Sequence, residues 1–375
     1  MQANDKLTMR RVLLPHQFSE HPAPAGGAVR DFHGLSMGTT WSVRLVGHGT
    51  SAHLQEGLQC QLDLVVSEMS HWLPDSDLGR FNCAPAGTWH SLPAAFFEVL
   101  AFAMSVSRDS GGAYDPCAGA MVNRWGFGPE QRFDDLAFQA PSAGEIGALL
   151  AQGRGRRVEL DHAGRRARQP GGVFIDLSSV AKGYSVDRLA HYLEMQGIRH
   201  YLVEVGGELR GAGTKPDGQP WWVALEQVSD TGPIEHSAAD AAVNSAVNSA
   251  ADADSGDDSG ANLDANLNEI VLALHGLSVA TSGDYRRYFL QDGQRFSHTL
   301  DARTAAPVCN GIASVTVVHA DCMAADAWST ALTVLGLEAG LALAERQGLA
   351  ARFLVRSGSG LSEHMSSLMH SMQDA

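Results

Sequence analysis

The stretch IASVTVVHADCMAADAWSTALTVLG, residues 312–336, decides the fold, because an apolar strand pattern turns inside it into an apolar helix. The helix is expected to start after Asp321 as N-cap and to stop at Gly336 as the C′ residue. Its centre, ADAWST, places a carboxylate and a hydroxyl four residues apart in a run that should be buried. An unpartnered carboxylate there would cost several kcal/mol, so Asp326 must have a partner. At i and i+4, Asp326 and Thr330 project from one helix face. Two oxygens on a rigid face suit a hard cation, Mg²⁺ above all. Backbone N–H groups for Asp326 and the i−4 carbonyl for Thr330 would satisfy the same pair without an ion, and the spacing leaves both readings open.

Outward from this stretch, EAGLALAERQG and ARFLVR read as a further helix and strand. On the N-terminal side, EIVLAL and SVATSG read as strands. They precede a hairpin, YRRYFLQDGQRFSHTLD, whose Asp292-Gly293 fits a type I′ turn. Earlier still come the strand TWSVRLV and helices over HLQEGLQCQLDLVVSEMS and AAFFEVLAFAMSVSRDSGG. The loop GAYDPCAGAMVNRWGFG has no period, while RRVELD and GGVFIDLSS read as neighbouring strands. VAKGYSVDRLAHYLEMQG reads as a helix stopped by Gly197, and HYLVEV and WWVALEQV continue the sheet. Short connections favour antiparallel pairing, and the mixture without strict alternation of strand and helix gives an α+β fold.

The chain has 375 residues, 44% of them hydrophobic, enough for a sizeable core. The net charge of −15 is concentrated: residues 230–268 hold eight acids and no Lys or Arg, and repeat Ala-Val-Asn-Ser. That stretch lacks the apolar mass to offset ordering entropy, so residues 232–268 are expected to be a disordered acidic insertion. Residues 1–30, rich in Pro and Gly, read as a disordered arm, 31–360 as the functional domain, and 361–375 as a flexible tail. The charge balance argues against nucleic acid as a partner. Five cysteines without a C-x-x-C pair indicate neither a disulfide framework nor a zinc knuckle. No secretory leader, lipobox or membrane span is read from the sequence, which makes the cytoplasm the default expectation.

Four more clusters could carry chemistry. IDLSSVAKGYSVD sets Ser178, Ser179 and orphan backbone N–H groups at a helix start, where an anion is favoured; Ser178 as a plain N-cap explains it equally. Lys182 adds a charge and Gly183 permits close approach. GAYDP sets Tyr114 and Asp115 beside a rigid Pro, and RFSHTLD offers Ser297 and His298 on a hairpin strand. Gly206-Gly207 fits either a bulge or a close backbone approach to a ligand.

Taken together and in order, these blocks make the chain resemble the ApbE family, flavin transferases that move FMN from FAD onto a protein threonine. The resemblance spans about Gly34 to Val355, interrupted by the acidic insertion. It includes MGTTWSV, MSHWLPDSDLGRFN, GAYDPCAGAMVNRWGFGP, IDLSSVAKGYSVD, YLVEVGGELRGAG, ATSGDYRRYF, FSHTLDARTAAPV and SVTVVHADCMAADAWSTALTVLG. It implies a T-fold-like α+β architecture of mainly antiparallel sheets with FAD in a cleft, and Mg²⁺ on Asp326, Thr330 and the Ala181 carbonyl. It also implies flavin-nucleotide contacts at Met37, Trp72, Ala113, Tyr114, Asp115, Ser178, Tyr184 and Ser297. The family usually carries Tyr where Trp72 stands; either ring offers a π face for stacking. It usually has Pro and Gly where Ala302 and Ala305 stand. Its members are commonly exported or lipid-anchored.

The reaction implied is attack by an acceptor Ser or Thr hydroxyl on the FMN-side phosphorus, releasing AMP. The acceptor is a protein with a Ser/Thr flavinylation motif, a redox-complex subunit among the candidates. By residue chemistry the proton acceptor is His298, with Asp284 the second choice. A Mg²⁺-dependent FAD pyrophosphatase and a non-catalytic flavin carrier are the alternatives.

Overall fold

The computed structural model describes residues 11–17, 22–24, 26–47, 52–153, 157–228, 270–285, 287–358 and 360–373. It opens with strand β1 (Arg11–Leu13), followed by β2 (Ala28–Ser36) and β3 (Thr39–Gly47), a hairpin turned by left-handed Met37 (φ 52°) and Gly38 (φ 72°). Helices α1 (Ala52–Met69) and α2 (Asp77–Asn82), strand β4 (Trp89–Ser91), and helices α3 (Ala94–Asp109), α4 (Gly119–Arg124) and α5 (Ala143–Gly153) come next. The short pair β5 (Glu159–Asp161) and β6 (Arg166–Arg168) leads to α6 (Ala181–Met195), then β7 (Tyr201–Val205), β8 (Glu208–Ala212) and β9 (Trp221–Ala224). Beyond the insertion lie β10 (Ile270–Leu274), β11 (Leu277–Gly283), the hairpin β12 (Tyr288–Gln291) and β13 (Gln294–Ser297), and the two-residue strands β14 (Leu300–Asp301) and β15 (Ala306–Pro307). Strand β16 (Ile312–His319), helices α7 (Cys322–Leu335) and α8 (Leu337–Gln347), strands β17 (Ala350–Ser357) and β18 (Gly360–Met365), and helix α9 (Ser367–Ser371) finish the chain.

Eight strands form one antiparallel sheet in the order β18-β17-β16-β11-β8-β7-β3-β2. Successive side chains of a strand point to opposite faces, and here each face has its own core. Trp41, Val43 and Leu45 of β3 and Tyr201, Val203 and Val205 of β7 pack with α1 and α6, while Val46 and Leu202 turn to the other side. Val315 and Val317 of β16 join α3 and α7; Val318 joins the small sheet β1-β10-β9 on the opposite face. The sheet is therefore covered by helices on one side and by three short strands with helix α9 on the other. This is the expected α+β architecture with mainly antiparallel pairing. Among the described residues no helix is long and apolar enough to cross a membrane, and the five cysteines are all free thiols.

Four expectations need correction. The arm read over residues 1–30 contains β1, which runs parallel to β10, and the first three residues of β2; Arg11 is ion-paired to Glu363 at 2.5 Å. The tail read as flexible from 361 contains most of β18 and helix α9, anchored by fully buried Met369. The loop read over GAYDPCAGAMVNRWGFG holds the six-residue helix α4, too short to display a period. GGVFIDLSS forms only an isolated bridge, Ala118 to Phe174. Its Val173, Ile175 and Leu177 are buried in strand-like alternation, but Asn82 occupies both backbone groups of Ile175, at 2.8 and 2.9 Å, and Asp176 folds back onto Ser178. The acidic insertion lies outside the described residues.

Ala305 occupies the left-handed region (φ 53°) and is fully buried, its carbonyl accepting the Trp125 indole N–H at 2.8 Å. This is where the resembled family usually has glycine, whose backbone reaches that region without a Cβ clash. We expect Ala305→Gly to stabilise the protein by roughly 0.5–1 kcal/mol in denaturant unfolding, relief of strain exceeding glycine's entropy. A loss of stability would mean that the packing of the methyl outweighs the strain.

Candidate functional site

The opening stretch meets the rest of the site where α7 crosses α6. Gly183 makes the crossing possible: a Cβ there would lie 2.3 Å from the Cys322 carbonyl oxygen and 2.7 Å from Asp326 Cβ. The close approach permitted by this glycine is thus of a neighbouring helix. At this contact the Gly183 N–H donates to Asp326 Oδ2 at 2.9 Å, and Asp326 is only 5% exposed. One turn further along α6, Asp187 accepts from the N–H groups of Cys322 (3.0 Å) and Met323 (2.8 Å). Asp321 holds the N-cap position as expected, but its side chain makes no capping bond. The cap is delivered across the helix pair. Burial pushes the Asp187 carboxyl above its ordinary value, against the pull of the Met323 N–H and of Arg210, whose guanidinium lies 2.5 Å away.

Thr330 sits one turn beyond Asp326 on the half-buried side of α7. The carbonyl it could have bonded, that of Asp326, accepts instead from Ser329 Oγ at 2.8 Å. Ala181, whose carbonyl completes the expected ligand set, is the first residue of α6 and lies two residues before Gly183. The next residue, Lys182, is tied to Glu208 at 2.5 Å, a carboxylate only 2% exposed. Cys322 between the helices is fully buried. Burial raises its thiol well above the ordinary value, and Asp187, Glu208 and Asp326 add to the effect.

Tyr114 extends the acidic surroundings. It is 3% exposed, and burial drives its hydroxyl well above the ordinary tyrosine value, helped by Asp326, Asp176 and Asp115 and opposed by the Ser179 hydroxyl. The phenol oxygen has no partner in hydrogen-bonding geometry among the described residues. A buried hydroxyl in the field of three carboxylates fits a site that takes a cation. Asp115 accepts from the Cys117 N–H at 2.9 Å, and burial raises its carboxyl. Among the described residues no three His, Cys, Asp or Glu side chains form a metal-holding group. A site with one carboxylate, one hydroxyl and one carbonyl does not need them, since Mg²⁺ takes few protein oxygens.

Along the rim, Ser178 is fixed by Asp176, whose Oδ1 accepts from its N–H (2.8 Å) and Oγ (2.6 Å). The same Oδ1 lies 3.3 Å from His71 Nδ1, and the His71 ring is 5.5 Å from that of Trp72, which is 43% exposed. Sequence reasoning singled out Trp72 and Ser178 but missed the His71–Asp176 pair that joins them. Both residues lay inside quoted motifs, but only the fold shows them adjacent. Met37 and Tyr184 are half-buried against the cluster that includes Ala181 and Trp328. Ala113 is buried beside Tyr114. Gly206 (φ 60°) and Gly207 (φ 97°) form the turn between β7 and β8.

The hairpin residues connect to Asp176 through Arg287. Ser297 is 3% exposed, its Oγ accepting from the Thr299 N–H at 3.2 Å. His298 Nδ1 lies 3.0 Å from the Arg287 carbonyl, which puts the proton on Nδ1 and makes Nε2 the acceptor nitrogen. Arg287 in turn lies in the field of Asp176; burial lowers its guanidinium, and Asp176 opposes that. Asp284 is placed differently: both carboxylate oxygens are held by Arg356, at 2.7 and 2.9 Å. That pairing occupies both oxygens on which a proton would have to be taken.

Comparisons with known proteins converge on one family. The ApbE family model matches residues 37–353. An FAD:protein FMN transferase of Haemophilus influenzae is 34% identical over 335 residues, 87% of this chain and 86% of the relative. One of Vibrio cholerae is 33% identical over 337 residues, 89% of this chain and 90% of the relative. The apo crystal structure of the Pseudomonas stutzeri flavinyl transferase ApbE superposes with a TM-score of 0.75 at 35% identity, covering 93% of this chain and 98% of that one.

Proposed function

The chain belongs to the ApbE family and, like the relatives just described, is a flavin transferase; from that premise we propose that it uses Mg²⁺ to move FMN from FAD to a threonine or serine hydroxyl of an acceptor protein, releasing AMP. The observation that carries the metal assignment is the Asp326 carboxylate, 5% exposed and held by the Gly183 N–H two residues from the Ala181 carbonyl. Asp326, Thr330 and Ala181 together offer three hard oxygens of different kinds. Bound there, Mg²⁺ would neutralise charge on the pyrophosphate and on the departing AMP.

The remaining work falls to the chain's own groups. Trp72 offers a half-exposed ring for stacking, and Ser178, whose N–H and hydroxyl both donate to Asp176 Oδ1, keeps its Oγ lone pairs to accept from the nucleotide. Met37, Ala113, Asp115, Tyr184 and Ser297 complete the contacts we assign to FAD. The acceptor hydroxyl forms its bond to the FMN-side phosphorus as the bond from that phosphorus to the bridging oxygen breaks, and AMP leaves with that oxygen. His298 takes the hydroxyl proton on Nε2 while the Arg287 carbonyl holds its Nδ1–H. Positioning and charge neutralisation supply most of the acceleration in such a transfer.

Incubating the protein with FAD, Mg²⁺ and a candidate acceptor, then weighing the acceptor, tests the reading. A mass gain of one FMN with release of AMP is expected. Free FMN alone would indicate hydrolysis, and intact FAD a carrier. For His298→Ala we expect the transfer rate to fall by about 10²–10³ and the acid limb of its pH profile to vanish. An unchanged profile would remove His298 from the mechanism.

A further inference from the structure

We infer that Asn82 is a positioning residue for flavin transfer: it sets the place of the segment that carries Ser178 and the Ala181 carbonyl relative to the loop that carries Trp72. The inference rests on the FAD and Mg²⁺ contacts proposed above. Residues 174–176 direct their backbone groups alternately to two sides, as a strand does. On one side the Phe174 carbonyl accepts the Gly119 N–H at 3.0 Å, and the Asp176 N–H donates to the Pro116 carbonyl at 2.8 Å, next to Tyr114 and Asp115. On the other side the Asn82 amide takes both backbone groups of Ile175, at 2.8 and 2.9 Å. One side chain therefore does what a neighbouring strand would do. From there the path to the site is short. The Leu177 carbonyl accepts the Ala181 N–H at 2.8 Å, and Asp176 holds the N–H and Oγ of Ser178, so a shift of Ile175 is passed on to both.

Asn82 is the last residue of α2, and the other end of that helix is locked to the Trp72 loop. Its N-cap Ser76 donates from Oγ to the Ser70 carbonyl at 2.6 Å and accepts the Gly79 N–H at 2.8 Å. Gly79 lies so close to the loop that a Cβ would sit 2.3 Å from the Leu73 carbonyl oxygen. Helix α2 is thus a strut of six residues, roughly 9 Å long, between the Trp72 loop and Ile175. On a second path between the same two walls, His71 Nδ1 lies 3.3 Å from Asp176 Oδ1. A helix this short does not hold its place alone, so its position depends on the bonds at its ends. Fully buried Gln169 supports the same end, its Nε2 donating to the Phe81 carbonyl at 3.0 Å and the Val173 carbonyl at 3.1 Å. Loss of the Asn82 amide should therefore loosen the strut without releasing it, and a displacement of about 1 Å is enough to cost 10²-fold in rate.

The test uses the full chain with FAD and Mg²⁺ and reads two quantities: the FAD dissociation constant by titration, and the saturating rate of FMN transfer to a pool of short peptides each with one central threonine. Asn82→Ala removes both bonds to Ile175. Asn82→Asp has the same shape, keeps the bond from the Ile175 N–H and loses the one to its carbonyl, so it decides the matter should the alanine variant not fold. Met369→Ala is the stability control, because it opens the core on the opposite face of the sheet. For Asn82→Ala we expect the FAD dissociation constant to rise about tenfold or more and the rate to fall about 10²-fold, with smaller changes of the same sign in Asn82→Asp. Met369→Ala should lower the melting temperature while leaving both quantities within about twofold of wild type. Wild-type values in the folded Asn82 variants would overturn the inference and leave the transfer reading intact. Equal changes in Met369→Ala would also overturn it, since they would follow from lost stability alone. A wild-type protein that binds FAD but labels no peptide would overturn the transfer reading, and the FAD dissociation constants would then decide the inference by themselves.

Discussion

Asp326→Asn is expected to lower FMN transfer by about 10³-fold, the effect of removing one preorganised charge-stabilising group from a water-poor site. The fold should survive, because the amide oxygen can still accept the Gly183 N–H that now reaches Asp326 Oδ2 at 2.9 Å. Unfolding free energy should therefore stay within about 1 kcal/mol of wild type. The two measurements separate chemistry from structure: a folded protein without transfer supports the metal assignment. A mutant that unfolds as its activity falls would make Asp326 a packing residue.

Gly183→Ala should be nearly as damaging by a different route. The added methyl would sit 2.3 Å from the Cys322 carbonyl oxygen, a backbone atom that cannot rotate away. Helices α6 and α7 must then separate, costing about 1–3 kcal/mol in overpacking. Separation also pulls the Ala181 carbonyl away from Asp326 and strains the Asp187 cap on α7. A misplacement of about 1 Å can cost 10²-fold in rate, so transfer should fall by at least that factor. Thermal unfolding and transfer assays on one preparation check both parts; wild-type stability would mean that the helices do not press together at this glycine.

Much of the architecture was legible because its elements are long and periodic. The strand-to-helix stretch around Asp326 appears as β16 and α7, and Asp292-Gly293 turns the β12–β13 hairpin with both residues left-handed. What escaped was short or satisfied from a distance. Strand β1 is three residues long, and its place is set by β10 and by Glu363, which lie far away in sequence. GGVFIDLSS has a strand's alternation, but Asn82, 93 residues away, takes the backbone groups that a neighbouring strand would have bonded.

The site divides in the same way. Asp326 with Thr330 follows from helical spacing, whereas the partner of Asp326 is a backbone N–H on α6, and the cap of α7 comes from Asp187 rather than the local Asp321. Asp284 had the right chemistry for a base, but the Arg356 pairing is visible only once β11 and β17 are placed on either side of β16.

The central claim is that Asp326 anchors the metal on which flavin transfer depends. Calorimetric titration of Mg²⁺ into FAD-loaded wild-type protein and FAD-loaded Asp326→Asn tests it most directly. The account predicts saturable binding to wild type and an affinity at least about tenfold weaker in the variant, a difference of ~1.4 kcal/mol. Equal affinity in the two proteins would contradict it.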